Sequence, residues 1–305
     1  MSRPLSLAVA AAFAFVALPA LAGTPINQTR PLNATGEVHV ENIKGSIVVR
    51  TWARPEVRIT GTLGKGAERL QVEGDERTLD IAVKYPNTRG GWNFWGRSDD
   101  GAKATVLEVT IPQRASLEIE SVAADVDVQQ MAGARLSVAS VSGAVVVTAS
   151  SPGEAEIQTV SGDSTLKITT PRVRVESVSG DVRLQGGLDG EVGMESVSGD
   201  LELDAKALSK LSVATVSGDA SVRAALRSGA RVDAETLSGT LALRLPRNTG
   251  ARLRVESFSG DIESPTGTVQ REEHGPGKSL DTRLGDGRGE IELESFSGDV
   301  RIILE

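Results

Sequence analysis

A motif of twelve residues returns along most of this chain, and it sets what the chain can fold into. Residues 173–184 read VRVESVSGDVRL, and variants stand at 192–203, 211–222, 232–243, 253–264 and 291–302. Upstream copies lie at 155–166, 136–147 and 117–128, with an isolated one at 38–49 (VHVENIKGSIVV). The turn glycines Gly143, Gly162, Gly180, Gly199, Gly218, Gly239 and Gly260 are spaced by 19, 18, 19, 19, 21 and 21 residues. A fixed period of this size belongs to a repeat architecture, in which one unit cannot bury its apolar face alone and must stack on the next.

Within one copy, Val173 and Val175 alternate with Arg174 and Glu176, and Val182 and Leu184 alternate around Arg183. That is the period of strands with one buried face. Taking Val178 as buried, parity slips between Val175 and Val178, so the chain is expected to bend near Ser177, with Gly180 relieving the backbone at a second corner. One copy is then two short strands and two bends, with no room for a helix. Stacking in register about 4.8 Å apart makes parallel sheets, and short crossovers of this kind wind to the right. The reading is an all-β, single-chain, parallel, right-handed β-solenoid of about 19-residue coils. Eight consecutive copies, with turns from Ala124 to Gly260, predict a rod roughly 35 Å long. The column Ile43, Val122, Val141, Val160, Val178, Val197, Val216, Leu237, Phe258, Phe296 is apolar throughout and is expected to be the spine of the core.

Two regions depart from the repeat. Segments 56–63, 69–85 (with a turn at Gly74-Asp75) and 104–112 read as longer antiparallel strands, an N-terminal β cap over an edge that would otherwise aggregate. Residues 265–290, glycine-rich and charged, read as loop and hairpin before a last coil. The expected organisation is therefore a leader over 1–22, an N-terminal β region and cap over 23–113, repeats over 114–264, and loop, hairpin and final coil over 265–305.

The leader is a secretory signal: Arg3, an apolar run from Leu5 to Leu18, then Ala20-Leu21-Ala22 as a small-x-small cleavage pattern. The run is too short for a membrane span. The chain has no cysteine, hence neither a disulfide framework nor a lipid-anchoring cysteine. Export points to a periplasmic or secreted protein. A net charge of −8 argues against nucleic acid as a partner.

With ESVSGD, TVSGD and ESFSGD in view, and GSIVVRTWARPEVRITGTLG at 45–64, the chain resembles the putative-adhesin family of bacterial exported β-strand-repeat proteins. The likeness runs from Val38 to Ile303. It implies a β-solenoid fold and a surface-facing or exported location, and it carries across no catalytic residues.

Candidate chemistry is sparse. Two hydroxyl ladders, Ser140, Thr159, Ser177, Ser196, Thr215 and Ser142, Ser161, Ser179, Ser198, Ser217, could order water or glycans, or bond the backbone at the bend. Asp163, Asp181, Asp200 and Asp219, with Asp125, Asp261 and Asp299 beyond interruptions, could share Ca²⁺ or simply cap turns. Trp92, Phe94 and Trp95 sit among glycines in a chain with few aromatics; they suit either partner binding or an end plug. His39 and His274 are far apart, and Ser-Gly-Asp is not the nucleophile elbow of a hydrolase. No catalytic, cofactor-binding or metal-binding residue is assigned, and no cofactor is implied. The expected function is a non-enzymatic scaffold or binding module of the cell envelope, with an envelope protein or glycan as partner. The alternative is a polysaccharide lyase or hydrolase on a β-helix.

Overall fold

The computed structural model describes residues 23–86 and 103–305. The leader 1–22 and the loop residues Trp92, Phe94 and Trp95 lie outside the described residues. Those described form strands and turns without an α-helix, and among them no helix is long and apolar enough to cross a membrane.

Successive copies pair in parallel, equivalent residue to equivalent residue. Leu136 lies beside Ala155, Ala155 beside Val173, Val173 beside Val192, Val192 beside Leu211, and Leu211 beside Val232. The strands after each turn stack likewise, with Val182 beside Leu201 and Leu201 beside Ala220. Long strands such as Val182–Ser196 and Leu201–Thr215 serve both ladders, bending midway where the regular pairing lapses. The core lies between the two ladders. Val173, Val175, Val182 and Leu184 and their counterparts in other coils are buried in it, each coil supplying the apolar face that covers its neighbour's.

The column expected as the spine of the core is instead on the outside. Val141, Val160, Val178, Val197, Val216, Leu237, Phe258 and Phe296 are 43–54% exposed. Strand alternation does not slip after Val175; it continues, so Ser177 points inward and Val178 outward. The slip comes one step later, where Val178 and Ser179 both face out before Gly180 turns in. An inward serine is tolerable because the bend satisfies it: Ser177 Oγ donates to Gly180 O (2.8 Å) and accepts from Gly180 N (3.1 Å). Nor is Gly180 there for a left-handed backbone, since its φ lies outside the positive range. A Cβ at Gly180 would sit 2.2 Å from Gly162 O, and one at Gly199 would sit 2.1 Å from Gly180 O. Glycine is required so that coils can approach.

Stacking order also departs from chain order. Residues 290–295 pair with 231–236 on one side, 289–295 pair with 251–257 on the other, and 300–304 pair with 241–245. The coil latest in sequence is thus inserted between the two before it, so the eight copies are not consecutive in space.

At the other end, Thr78–Lys84 and Thr105–Pro112 pair in parallel with the two halves of Glu37–Trp52, where antiparallel strands were expected. Antiparallel pairing begins one strand further out, with Arg69–Gly74 on Thr78–Lys84, Glu56–Leu63 on Thr105–Pro112, and Thr24–Pro31 on Glu56–Leu63. Beyond 251–257, Lys278–Leu284 adds in antiparallel fashion.

Candidate binding groove along the corner

The outward turn of Val178 builds a surface feature that repeats in every coil. Reading outward-facing positions through one corner gives Glu176, Val178, Ser179, Asp181; the next gives Glu195, Val197, Ser198, Asp200. Stacked, these positions form an apolar ridge one residue wide, bordered on one side by a column that is glutamate except at Ala139, Gln158 and Ala214, and on the other by serine and aspartate columns, the latter interrupted by Ala144 and Thr240. Ridge and glutamate column line a groove of about 1630 Å³ running from Val83 and Lys84 at one end to Glu272 and Lys278 at the other. Ten coils from Ile43 to Phe258 make it roughly 40 Å long at ~4.8 Å per step. Half-exposed side chains in so long a row amount to apolar surface on the order of 500 Å², near the upper limit for an unpartnered soluble monomer.

The hydroxyl and aspartate columns are structural. Ser179 Oγ donates to Val160 O (3.1 Å), and Ser198 and Ser217 do the same one coil further on (both 3.2 Å). Asp163 Oδ1 accepts from Asp181 N (3.1 Å), Asp181 from Asp200 N (3.1 Å) and Asp200 from Asp219 N (2.9 Å). Each aspartate therefore caps the turn of the adjacent coil. Thr159 differs from the rest of the inner hydroxyl column, its Oγ1 being buried without a hydrogen-bond partner.

Charge along the glutamate column is uneven. Near the middle, Arg174 holds both Glu176 (2.6 Å) and Glu195 (2.7 Å). At the inserted coil, Glu235, Glu294 and Glu256 fall in consecutive register, and none of the three makes an ion pair among the described residues. Partial burial, and then the negative charges of Glu235, Glu256 and Glu292, push the Glu294 carboxyl above its ordinary value. Here the ridge is also widest. Phe296 stacks on Phe258 with centroids 4.9 Å apart and planes 10° from parallel, a contact created by the inserted coil.

At the opposite end, His39, Glu41 and Glu120 bring one ligand atom each within 4.8 Å of one another, the set that could gather on a cation. Glu41 is already engaged by His39 (3.2 Å) and Lys84 (3.3 Å). Burial raises its carboxyl, and the His39 hydrogen bond with the charge and hydrogen bond of Lys84 outweighs that and holds it below the ordinary range.

The groove went unread in the sequence because an apolar column was equated with a core column. A signal was present: the column ends in Phe258 and Phe296, in a motif whose inward positions hold no aromatic residue.

A corner-grooved β-solenoid wound from parallel coils is the class of protein that these features define. The chain belongs to the Toastrack DUF4097 family, whose model matches residues 36–303. Among solved structures it is similar to one described as "Putative lipid binding protein" from Parabacteroides distasonis, at 13% identity and a TM-score of 0.55, covering 92% of this chain and 98% of that one. It is also similar to a "putative adhesin" from Bacteroides fragilis (14% identity, TM-score 0.44, 92% and 97% covered) and another from Parabacteroides merdae (10%, 0.47, 74% and 90%). No curated protein matches the sequence.

Proposed function

We propose that this protein is an exported, non-enzymatic binding scaffold of the bacterial envelope, periplasmic or secreted, which engages its ligand along the corner groove. The observation that carries this reading is the unbroken ladder of half-exposed Val, Leu and Phe side chains. Leaving such surface in water is unfavourable by roughly 25 cal/mol per Å² relative to covering it, and no requirement of the fold places apolar residues at a solvent-facing corner. In this reading residues 1–22 direct export, and a right-handed solenoid of about 19-residue coils forms the body, with the coil latest in sequence inside the stack. Strands 24–31, 56–63 and 69–74 at one end and 278–284 at the other close it, where antiparallel strands keep the stack from adding further chains edge to edge.

The test is a triple substitution, Val178→Ser with Val197→Ser and Val216→Ser, compared with the unaltered protein for denaturation midpoint and for retention on isolated envelope material. The expected result is an unchanged midpoint with retention lost. Full retention by a folded variant would refute the groove as the ligand surface.

A further inference from the structure

The charge pattern of the groove narrows the chemistry of its occupant. At the inserted coil the apolar ridge is bordered on one flank by Glu235, Glu294 and Glu256; past Ala214 that flank continues with Glu195 and Glu176, opposite the Asp163–Asp181–Asp200–Asp219 row. In the nine coils from Val122 to Phe258, neither the ridge nor these flanking columns carries a lysine or arginine. Arg174 reaches in from the next column to neutralise Glu176 and Glu195, but among the described residues nothing comparable reaches Glu235, Glu294 and Glu256. Nearby Lys278 is spent on Asp261, Arg231 on Asp233 and Glu290, and Arg254 on Glu292. Three unneutralised carboxylates in adjacent coils repel one another, and they stand directly beside Leu237, Phe296 and Phe258, the bulkiest part of the ridge.

Resting on the groove as the ligand surface, we infer that its occupant is a basic amphipathic polypeptide segment, apolar side chains on Leu237, Phe296 and Phe258 and Lys or Arg side chains against Glu235, Glu294 and Glu256. The ridge is open and linear, which fits an elongated segment laid along it, as amphipathic helices lie in apolar grooves. Acidic borders repel phosphate headgroups, so a lipid surface is the poorer match. A second copy docked groove to groove would set like charges face to face.

The probes are two synthetic peptides of about 18 residues, some 27 Å as helices: one of leucine and lysine in amphipathic order, the other with glutamate in place of lysine. Binding is followed by fluorescence anisotropy for the protein, for Glu235→Gln/Glu294→Gln/Glu256→Gln, and for Phe258→Ser/Phe296→Ser, all five positions being on the outer surface. The Leu/Lys peptide is expected to bind, at least tenfold more weakly to either variant and more weakly still in ~0.5 M salt. The Leu/Glu peptide is expected not to bind. Equal binding of both peptides, indifference to both variants, preference for phosphatidylglycerol vesicles, or self-association that the phenylalanine substitutions abolish would each overturn the inference. If the Leu/Lys peptide fails while the phenylalanine variant loses envelope retention, this inference falls and the groove reading stands. If retention also survives, both fall.

Discussion

Replacing Gly199 with alanine tests the stacking geometry most directly. The added Cβ would lie 2.1 Å from Gly180 O and 2.6 Å from Gly180 C, both backbone atoms that cannot swing away. A comfortable carbon–oxygen contact is about 3.3 Å, so the two coils must part locally by about 1 Å. Among the hydrogen bonds that cross that gap, three are donated by backbone N–H groups of the Gly199 turn: Val197 N to Ser177 O (3.2 Å), Ser198 N to Val178 O (3.0 Å) and Asp200 N to Asp181 Oδ1 (3.1 Å). At about 1 kcal/mol each their loss costs about 3 kcal/mol. Reduced backbone freedom in the unfolded chain returns roughly 0.4–1 kcal/mol, leaving a net loss of about 2–3 kcal/mol. Gly193→Ala is the control in the same coil. Its Cβ would meet only Arg174 Cγ, at 3.8 Å, so the entropic gain stands alone and the protein is expected to be slightly stabilised. Urea denaturation followed by circular dichroism gives both values. A Gly199→Ala protein as stable as the Gly193→Ala one would refute the claim that glycine is there for close approach.

Three more outcomes follow from the same geometry. Val175→Ala should cost about 2 kcal/mol by chemical denaturation, as buried truncations do, while Val178→Ala in the same coil should change stability by less than about 0.5 kcal/mol; equal costs would return Val178 to the core. Because the Glu294 carboxyl is raised on folding, the folded state holds more protons than the unfolded one from the ordinary glutamate range upward, so stability should fall as pH climbs through that window and recover on acidification. Glu294→Gln should flatten that part of a denaturation-versus-pH profile, and an unchanged profile would count against the clustered carboxylates. Since each aspartate already caps an N–H of the adjacent coil, millimolar Ca²⁺ should shift the melting temperature by less than about 2 °C, and a rise of many degrees abolished by Asp181→Asn with Asp200→Asn would make the row a cation site.

What the sequence disclosed and what it hid divide along a physical line. Inward alternation at Val173, Val175, Val182 and Leu184 was legible because burying one face of a strand imposes period 2 and nothing else does. The corner was not, because a buried serine looks like an outward residue until its partner, the Gly180 backbone three residues on, is known. With Ser177 misplaced, Val178 fell on the wrong side and the groove vanished with it. Coil order was hidden for another reason. Residues 232–243, 253–264 and 291–302 present nearly the same inward faces, so any order of stacking satisfies the apolar pattern. The aromatic residues Trp92, Phe94 and Trp95 drew attention by composition and lie outside the described residues, whereas the proposed groove is built largely from commonplace valines.

The inserted coil has a consequence for how the molecule is made. A repeat stack is ordinarily assembled like a growing column, each unit docking on the one before as it emerges. Here residues 251–263 are synthesised before the layer that separates them from 232–245. Their strand, so close in pattern to the missing layer's, can dock there prematurely in a parallel, well-packed arrangement that is nonetheless one layer short. Reaching the native state then demands that this early contact be undone and the later segment slipped in as an interior storey, a kinetic trap built from correct-looking pairs. The Phe296–Phe258 stack exists only once that exchange is complete, so the widest part of the ridge is assembled only in the finished molecule.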